Sequence, residues 1–87
     1  MQLIIRDTYA DRATWAEAFE AAREAHSSAG LSLLQMWHAA DDATTSVLLF
    51  DVADADRARA FLDGGEARLF ADRAGITASE AQFVETA

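Results

Sequence analysis

The chain contains no cysteine and no proline, and all seven of its basic residues are arginine. The lack of cysteine excludes disulfide bonds and thiolate metal sites, so no covalent link braces a chain of only 87 residues. The lack of proline means that turns depend on glycine and on aspartate, whose side chain bonds to the nearby backbone. No apolar run approaches the roughly 20 residues that a transmembrane helix needs.

Positive charge is also scarce. Fifteen acidic residues outnumber the seven arginines, which gives a net charge of -8 at pH 7. No basic stripe is present, so the sequence is not expected to bind nucleic acid or an anionic membrane surface. Residues 1–7 lack the basic start and the long apolar core of a signal peptide, and the expected location is therefore the cytoplasm.

Hydrophobic residues make up 52% of the chain, which is typical of one folded domain spanning residues 1–87. A domain of this size buries only ~60% of its unfolded surface, so it gains stability from a partner. Period-two and helical patterns predict strands, two helices and a hairpin turn. The strands are 2–8, 31–39, 45–52 and 76–84, the helices are 11–30 and 54–75 with a break at Gly64-Gly65, and the turn is 41–44.

This βαββαβ order predicts an α+β, ferredoxin-like antiparallel sheet with both helices on one face. The strand at 45–52 is apolar on both sides, because Val47 and Leu49 alternate with Leu48 and Phe50. Two helices cover only one face. At ~25 cal/mol per Å2 of apolar area, leaving the other face in water forgoes several kcal/mol, so a homodimer through that face is predicted. In the strand at 31–39, one face is expected to carry Leu31, Leu33, Gln35 and Trp37.

Several caps, turns and helix faces of this chain form a recognisable pattern. They are Asp11 with Trp15 and Phe19, Ala29-Gly30, Asp41-Asp42, Phe50 to Leu62, Arg68, and Ala74 to Ile76. This pattern resembles the dimeric α/β-barrel superfamily, which includes the antibiotic-biosynthesis monooxygenases and many small proteins of unknown function. The resemblance implies a dimeric barrel and cofactor-independent, monooxygenase-like or cyclase-like chemistry on an aromatic or polyketide-type small molecule. No Asn-Trp-His set of the haem-degrading kind aligns with this chain.

The first two strands run in the same direction, so their C-terminal ends are expected to meet at one end of the sheet. His38 is the candidate catalytic base there, because imidazole titrates near neutral pH. Arg6 is the second candidate catalytic residue and would hold a carboxylate or an enolate oxygen. No cofactor and no metal are predicted. The candidate ligand-binding residues at this end are Tyr9, Trp15, Trp37, Phe70 and Arg73.

Structural interpretations stand beside these functional ones. His38 precedes the hairpin, and a solvated side chain is the favoured structural interpretation there. Trp15 lies on the apolar stripe of the first helix, which favours a core residue over a pocket residue. Trp37 suits a dimer interface, and Arg6 suits an ion pair across the sheet. His26 is interpreted as structural, as a cation that favours the C-terminal end of the first helix dipole.

Two other patterns carry no site. The aspartates of residues 51–56 lack the central glycine and the distal glutamate of a calcium loop. The segment His26-Ser27-Ser28 has no orienting acid, and neighbours along a helix do not face each other. The sequence therefore leaves open whether the chain is an enzyme. The alternatives are a non-catalytic, small-ligand-binding or stress-associated barrel and a purely structural oligomerisation module.

Overall fold

The structure, a computed structural model, describes residues 1–87. The elements are β1 Gln2–Tyr9, α1 Arg12–Ala21, α2 Arg23–Ser28, β2 Leu31–His38, β3 Thr45–Val52, α3 Ala55–Leu62, α4 Gly65–Ala74 and β4 Ile76–Val84. The sheet has the strand order β2-β3-β1-β4, and every neighbouring pair is antiparallel. This confirms the predicted α+β, ferredoxin-like fold, with each predicted helix divided into two segments.

The helix boundaries follow from local chemistry at most ends. Asp11 accepts a hydrogen bond from the Thr14 amide and begins α1, and Asp54 caps α3 in the same manner. Gly75 ends α4 at a φ of 68°, a left-handed conformation that glycine adopts without a steric cost. The predicted break at Gly64-Gly65 separates α3 from α4. The break at Ala22 between α1 and α2 has no marker in the local sequence.

A β-bulge in β2 corrects the predicted strand faces. Leu33 lies opposite Phe50, whereas Gln35 lies opposite Leu49, so one extra residue separates them on β2. The extra residue moves every later side chain to the opposite face. The prediction that Gln35 and Trp37 share a face with Leu31 and Leu33 is therefore wrong. His38, which lies opposite Ser46, is on the face covered by the helices.

The hydrophobic core lies between the helices and one sheet face. Buried side chains of β1 and β3, such as Leu3 and Phe50, form one cluster with Trp15 and Phe19 of α1. The opposite face, called here the free sheet face, carries the outward side chains of Ile4, Arg6, Trp37, Val47 and Leu49. On this face Ile4, Val47 and Leu49 are half-buried, whereas Trp37 is 49% exposed. None of the helices reaches the length and apolar content that crossing a membrane requires.

Candidate functional site

A chain of hydrogen bonds runs from the protein surface into the end of the sheet. His38 Nδ1 lies 2.7 Å from Ser46 Oγ, which lies 2.7 Å from the Tyr9 hydroxyl. Arg12 Nε donates to that hydroxyl at 2.9 Å, and its guanidinium donates to the Asp42 carbonyl at 3.2 Å. Ser46 and Tyr9 are buried while His38 is exposed. These contacts join β1, β2, β3, the hairpin and the start of α1.

Trp15 connects this network to a buried acid. Its ring stacks on Tyr9 with centroids 5.2 Å apart, and its Nε1 donates to Asp7 Oδ2 at 3.1 Å. Ser79 lies opposite Asp7 on β4, and its hydroxyl donates to Oδ1 at 2.7 Å. Asp7 is only 2% exposed. Burial raises the pKa of Asp7, and the hydrogen bonds from Ser79 and Trp15 lower it by less.

A cavity of about 240 Å3 lies between the sheet and the helices α3 and α4. Ile5 and Leu48 contribute to it from the sheet, and Phe61 and Phe70 from the helices. Its polar lining residues are Asp7, His26, Arg68 and Ser79. Apolar walls with a few polar groups are typical of small-molecule sites. An engineered apolar cavity of about 150 Å3 binds benzene, so this one has room for a substituted aromatic ring.

His26 occupies an aromatic box rather than an exposed helix end. Its ring centroid lies 5.4 Å from Phe19, 5.5 Å from Phe50, 5.4 Å from Phe61 and 5.9 Å from Phe70. Its Nδ1 is buried and makes no hydrogen bond.

Burial lowers the pKa of His26 most. The nearby Ala22 carbonyl raises this pKa by less than burial lowers it, and the charge of Arg23 has the smallest effect and lowers it. The ring is therefore neutral at pH 7. The prediction that His26 acts as a cation on the helix dipole is wrong, because the four phenylalanine rings exclude the water that a cation needs.

The structure divides the predicted site residues into separate groups. Tyr9, Trp15 and His38 come together, with the rings of Trp15 and His38 6.3 Å apart and edge to face. Trp15 is completely buried, so its core interpretation is confirmed. Phe70 lines the 240 Å3 cavity.

Two other predicted residues, Arg6 and Trp37, lie on the free sheet face, both opposite Val47. Arg73 lies in a larger groove of about 470 Å3 between α1, α2 and α4. That groove is open, and four of its ten lining residues are alanines. Arg6 lies opposite Glu80, but Arg23 with Glu20 is the only ion pair in the structure, so the predicted Arg6 ion pair is not formed.

The sequence analysis did not predict that Asp7, His26 and Ser79 line one cavity. One signal was present in the sequence, because Asp7 shares a strand face with Leu3 and Ile5. A carboxylate on an otherwise apolar face is either paired or functional, since burying it alone is costly. The Ser79 contact had no comparable signal, because it depends on pairing across 72 residues of sequence. No three of the His, Asp and Glu side chains come together to hold a metal ion.

No protein-family model and no curated protein matches this sequence. Solved structures do match its fold. A NIPSNAP family protein of unknown function from Agrobacterium tumefaciens has a TM-score of 0.67 and 16% identity, over 100% of this chain and 88% of that one. An uncharacterized NIPSNAP domain protein from Burkholderia xenovorans has a TM-score of 0.58 and 13% identity, over 100% and 95% of the two chains.

A third solved structure shares this fold and bears the name of the antibiotic-biosynthesis monooxygenases. It is a protein from Nitrosomonas europaea proposed to be an antibiotic biosynthesis monooxygenase, with a TM-score of 0.56 and 18% identity, over 94% of each chain. At these identities the similarities establish a shared fold, and they confirm the resemblance at that level. A shared fold alone does not show that this chain has the function of these proteins.

Proposed function

We propose that this chain is a subunit of a small dimeric barrel enzyme that acts on an aromatic or polyketide-type molecule without a cofactor. The reaction class would be monooxygenase-like or cyclase-like. The observation that carries the proposal is the 240 Å3 cavity, which combines aromatic walls with the buried carboxyl group of Asp7. The fold shared with the Nitrosomonas protein supports the reaction class by analogy.

Asp7 is the proposed general base. A carboxylate whose pKa is raised by burial is a stronger base than an exposed one, and raised pKa values of this kind are frequent at catalytic sites. The hydrogen bonds from Trp15 and Ser79 hold the carboxyl group in a fixed orientation. Asp7 would take the proton from a substrate hydroxyl or enolisable position, and the resulting anion would react with molecular oxygen or rearrange.

Arg68 is the proposed partner of that anion. It lines the same cavity as Asp7 and forms no ion pair in the structure. An arginine beside a developing negative charge on oxygen stabilises it electrostatically. Arg68 thereby takes the role that the sequence suggested for Arg6, which lies on the free sheet face. A catalytic role for Arg6 requires a site between two subunits and remains a prediction, as does the cytoplasmic location.

The free sheet face supports the homodimer proposal. Val47 and Leu49 of β3 lie beside Ile4 of β1, and Trp37 adds a large ring on β2. Tryptophan is enriched at the cores of protein interfaces. Polar residues such as Arg6 and Gln35 lie among these side chains, so the apolar area is smaller than the sequence pattern suggested.

The test of the enzyme proposal is oxygen consumption with a panel of small phenols and enolisable ketones. Replacing Asp7 by Asn keeps the shape of the side chain and removes the base, so kcat should fall by roughly 100-fold or more. Arg68→Gln should lower kcat as well. Its matched control is Arg23→Gln, which removes an arginine from a surface ion pair away from Asp7 and should change kcat less than twofold.

His38→Ala decides between the two candidate bases. If His38→Ala loses all turnover while Asp7→Asn retains normal turnover, then His38 is the base and the assignment of Asp7 is overturned.

A non-catalytic ligand-binding barrel is the alternative. It is favoured by the hydrogen bonds of Asp7, because Trp15 and Ser79 already occupy both carboxylate oxygens. Under this alternative no panel compound is turned over. Native mass spectrometry of freshly purified protein would instead show a retained small molecule, and Asp7→Asn would change its affinity without any oxygen uptake.

A further inference from the structure

The cavity contains a second polar group besides the one at Asp7. His26 lines it and is 7% exposed, and its Nδ1 has no hydrogen-bond partner. Buried polar atoms in folded proteins are nearly always paired, because an unpaired one forfeits the hydrogen bond that it makes with water. A neutral imidazole both donates and accepts, so a bound hydroxyl group can supply the missing partner.

Apart from the nearby Ala22 carbonyl, which makes no well-formed hydrogen bond with it, this atom has no protein partner in the structure. The rings of Phe19, Phe50, Phe61 and Phe70 pack around it. Among the other polar residues of the cavity, Ser79 is already bonded to Asp7. At this end of the cavity, the imidazole of His26 is therefore the group that can form a hydrogen bond with a ligand.

The strand register gives the separation between His26 and Asp7. The His26 ring lies on Phe50, which pairs with Leu3 on β1. Leu3 precedes Asp7 by four residues on the same strand face, a rise of roughly 13 Å at about 3.3 Å per residue. Ile5 and Leu48, which lie between these two positions, both line the cavity. The cavity thus extends along the strands, with its two polar ends roughly 10–13 Å apart.

We propose that the ligand of this cavity is a single aromatic ring with hydrogen-bonding groups at opposite ends, one bound by Asp7 and the other by His26. This inference rests on the proposed small-molecule function and specifies its substrate class. A benzene ring with oxygens at both ends, plus a hydrogen bond of roughly 2.8 Å at each, spans about the separation that the strand register gives. A volume of about 240 Å3 admits one ring with two small substituents.

Three probe compounds separate the contributions of the two ends. 4-(Hydroxymethyl)phenol carries a hydroxyl group at each end. 4-Ethylphenol has nearly the same shape but lacks the second hydroxyl, and 2-(hydroxymethyl)phenol has both groups on one side of the ring. Binding is measured by titration of the Trp15 indole N–H signal in NMR, because that proton is bonded to Asp7. In the wild-type protein the first compound should bind at least tenfold more tightly than either of the others.

The decisive variant is His26→Phe, which keeps an aromatic ring in the box and removes both nitrogens. It should bind 4-(hydroxymethyl)phenol and 4-ethylphenol within twofold of each other. His26→Gln retains a donor and an acceptor and should restore part of the preference. It also serves as the second variant if His26→Phe does not fold.

Each contrary result identifies what has failed. An unchanged preference in both His26 variants overturns the role of His26. Equal binding of all three compounds to the wild-type protein overturns the ligand class and leaves the small-molecule proposal standing. No binding of any compound overturns the small-molecule proposal as well.

Discussion

The indole of Trp15 donates its N–H to the carboxylate of Asp7 at 3.1 Å, in the interior between α1 and β1. The same ring stacks on Tyr9, whose hydroxyl belongs to the hydrogen-bond chain that ends at His38. One core side chain therefore contacts both the buried acid Asp7 and the hydrogen-bonded Tyr9. This arrangement makes Trp15 a positioning residue for Asp7, which explains why a residue on the apolar stripe of a helix matters to a polar site.

The buried carboxyl group of Asp7 should make stability depend on pH. Because the pKa of Asp7 is raised in the folded protein, its contribution favours folding below the ordinary pKa of 3.8. That contribution is lost as the pH rises through the raised value and stays lost at neutral pH. Asp7→Asn, whose amide can accept from Trp15 and donate to Ser79, should therefore be more stable than the wild type at pH 7.

Urea unfolding between pH 3 and pH 8 measures this effect. The difference in unfolding free energy between Asp7→Asn and wild type should grow with pH and then level off. A variant that is less stable than wild type across the whole range would show that the carboxylate is net stabilising in its hydrogen bonds. Asp51→Asn, on an exposed residue of the same sheet, is the matched control for the substitution itself.

His26 should impose the opposite pH dependence. Its pKa is lowered in the folded state from the ordinary value of 6.5. As the pH falls, the unfolded chain therefore protonates His26 at a higher pH than the folded protein does. Its contribution to stability is complete above pH 6.5 and is lost as the pH falls toward the lowered value. His26→Phe should flatten the unfolding free energy between pH 7 and pH 5, with equal or greater stability at pH 7, and identical slopes would contradict a buried neutral ring.

Ser46 should be the most sensitive member of the hydrogen-bond chain. Its hydroxyl is fully buried and bonds to both Tyr9 and His38, so Ser46→Ala leaves the buried Tyr9 hydroxyl without that partner. The expected loss is about 1–3 kcal/mol in unfolding free energy. Ser32→Ala, at an exposed serine of β2, is the control and should stay within about 0.5 kcal/mol. Equal losses of stability at Ser46 and Ser32 would mean that the hydrogen bonds of Ser46 contribute nothing to the stability of the fold.

The sequence predicts the fold of this protein better than it predicts the arrangement of its candidate site. The strand at 45–52 agrees with β3, and both left-handed glycines lie at the predicted helix ends, because caps and periodicity are local properties. The site depends on pairing across long separations, such as Tyr9 with Ser46 across 37 residues. The bulge in β2 shows the limit clearly. One extra residue reversed the faces of Trp37 and His38, and nothing in their own side chains marked the change.

Two neighbouring leucines of β3 test the dimer proposal. Leu48 is 2% exposed and faces the helices, whereas Leu49 faces the free sheet face. Leu48→Asp buries an unpaired charge in the core and should unfold the protein. Leu49→Asp should leave the subunit folded by circular dichroism and shift it from dimer to monomer in sedimentation, because the new charge would lie in the subunit interface. A wild-type protein that sediments as a folded monomer at micromolar concentration would refute the dimer, since the half-buried side chains of this face would then be stable in water.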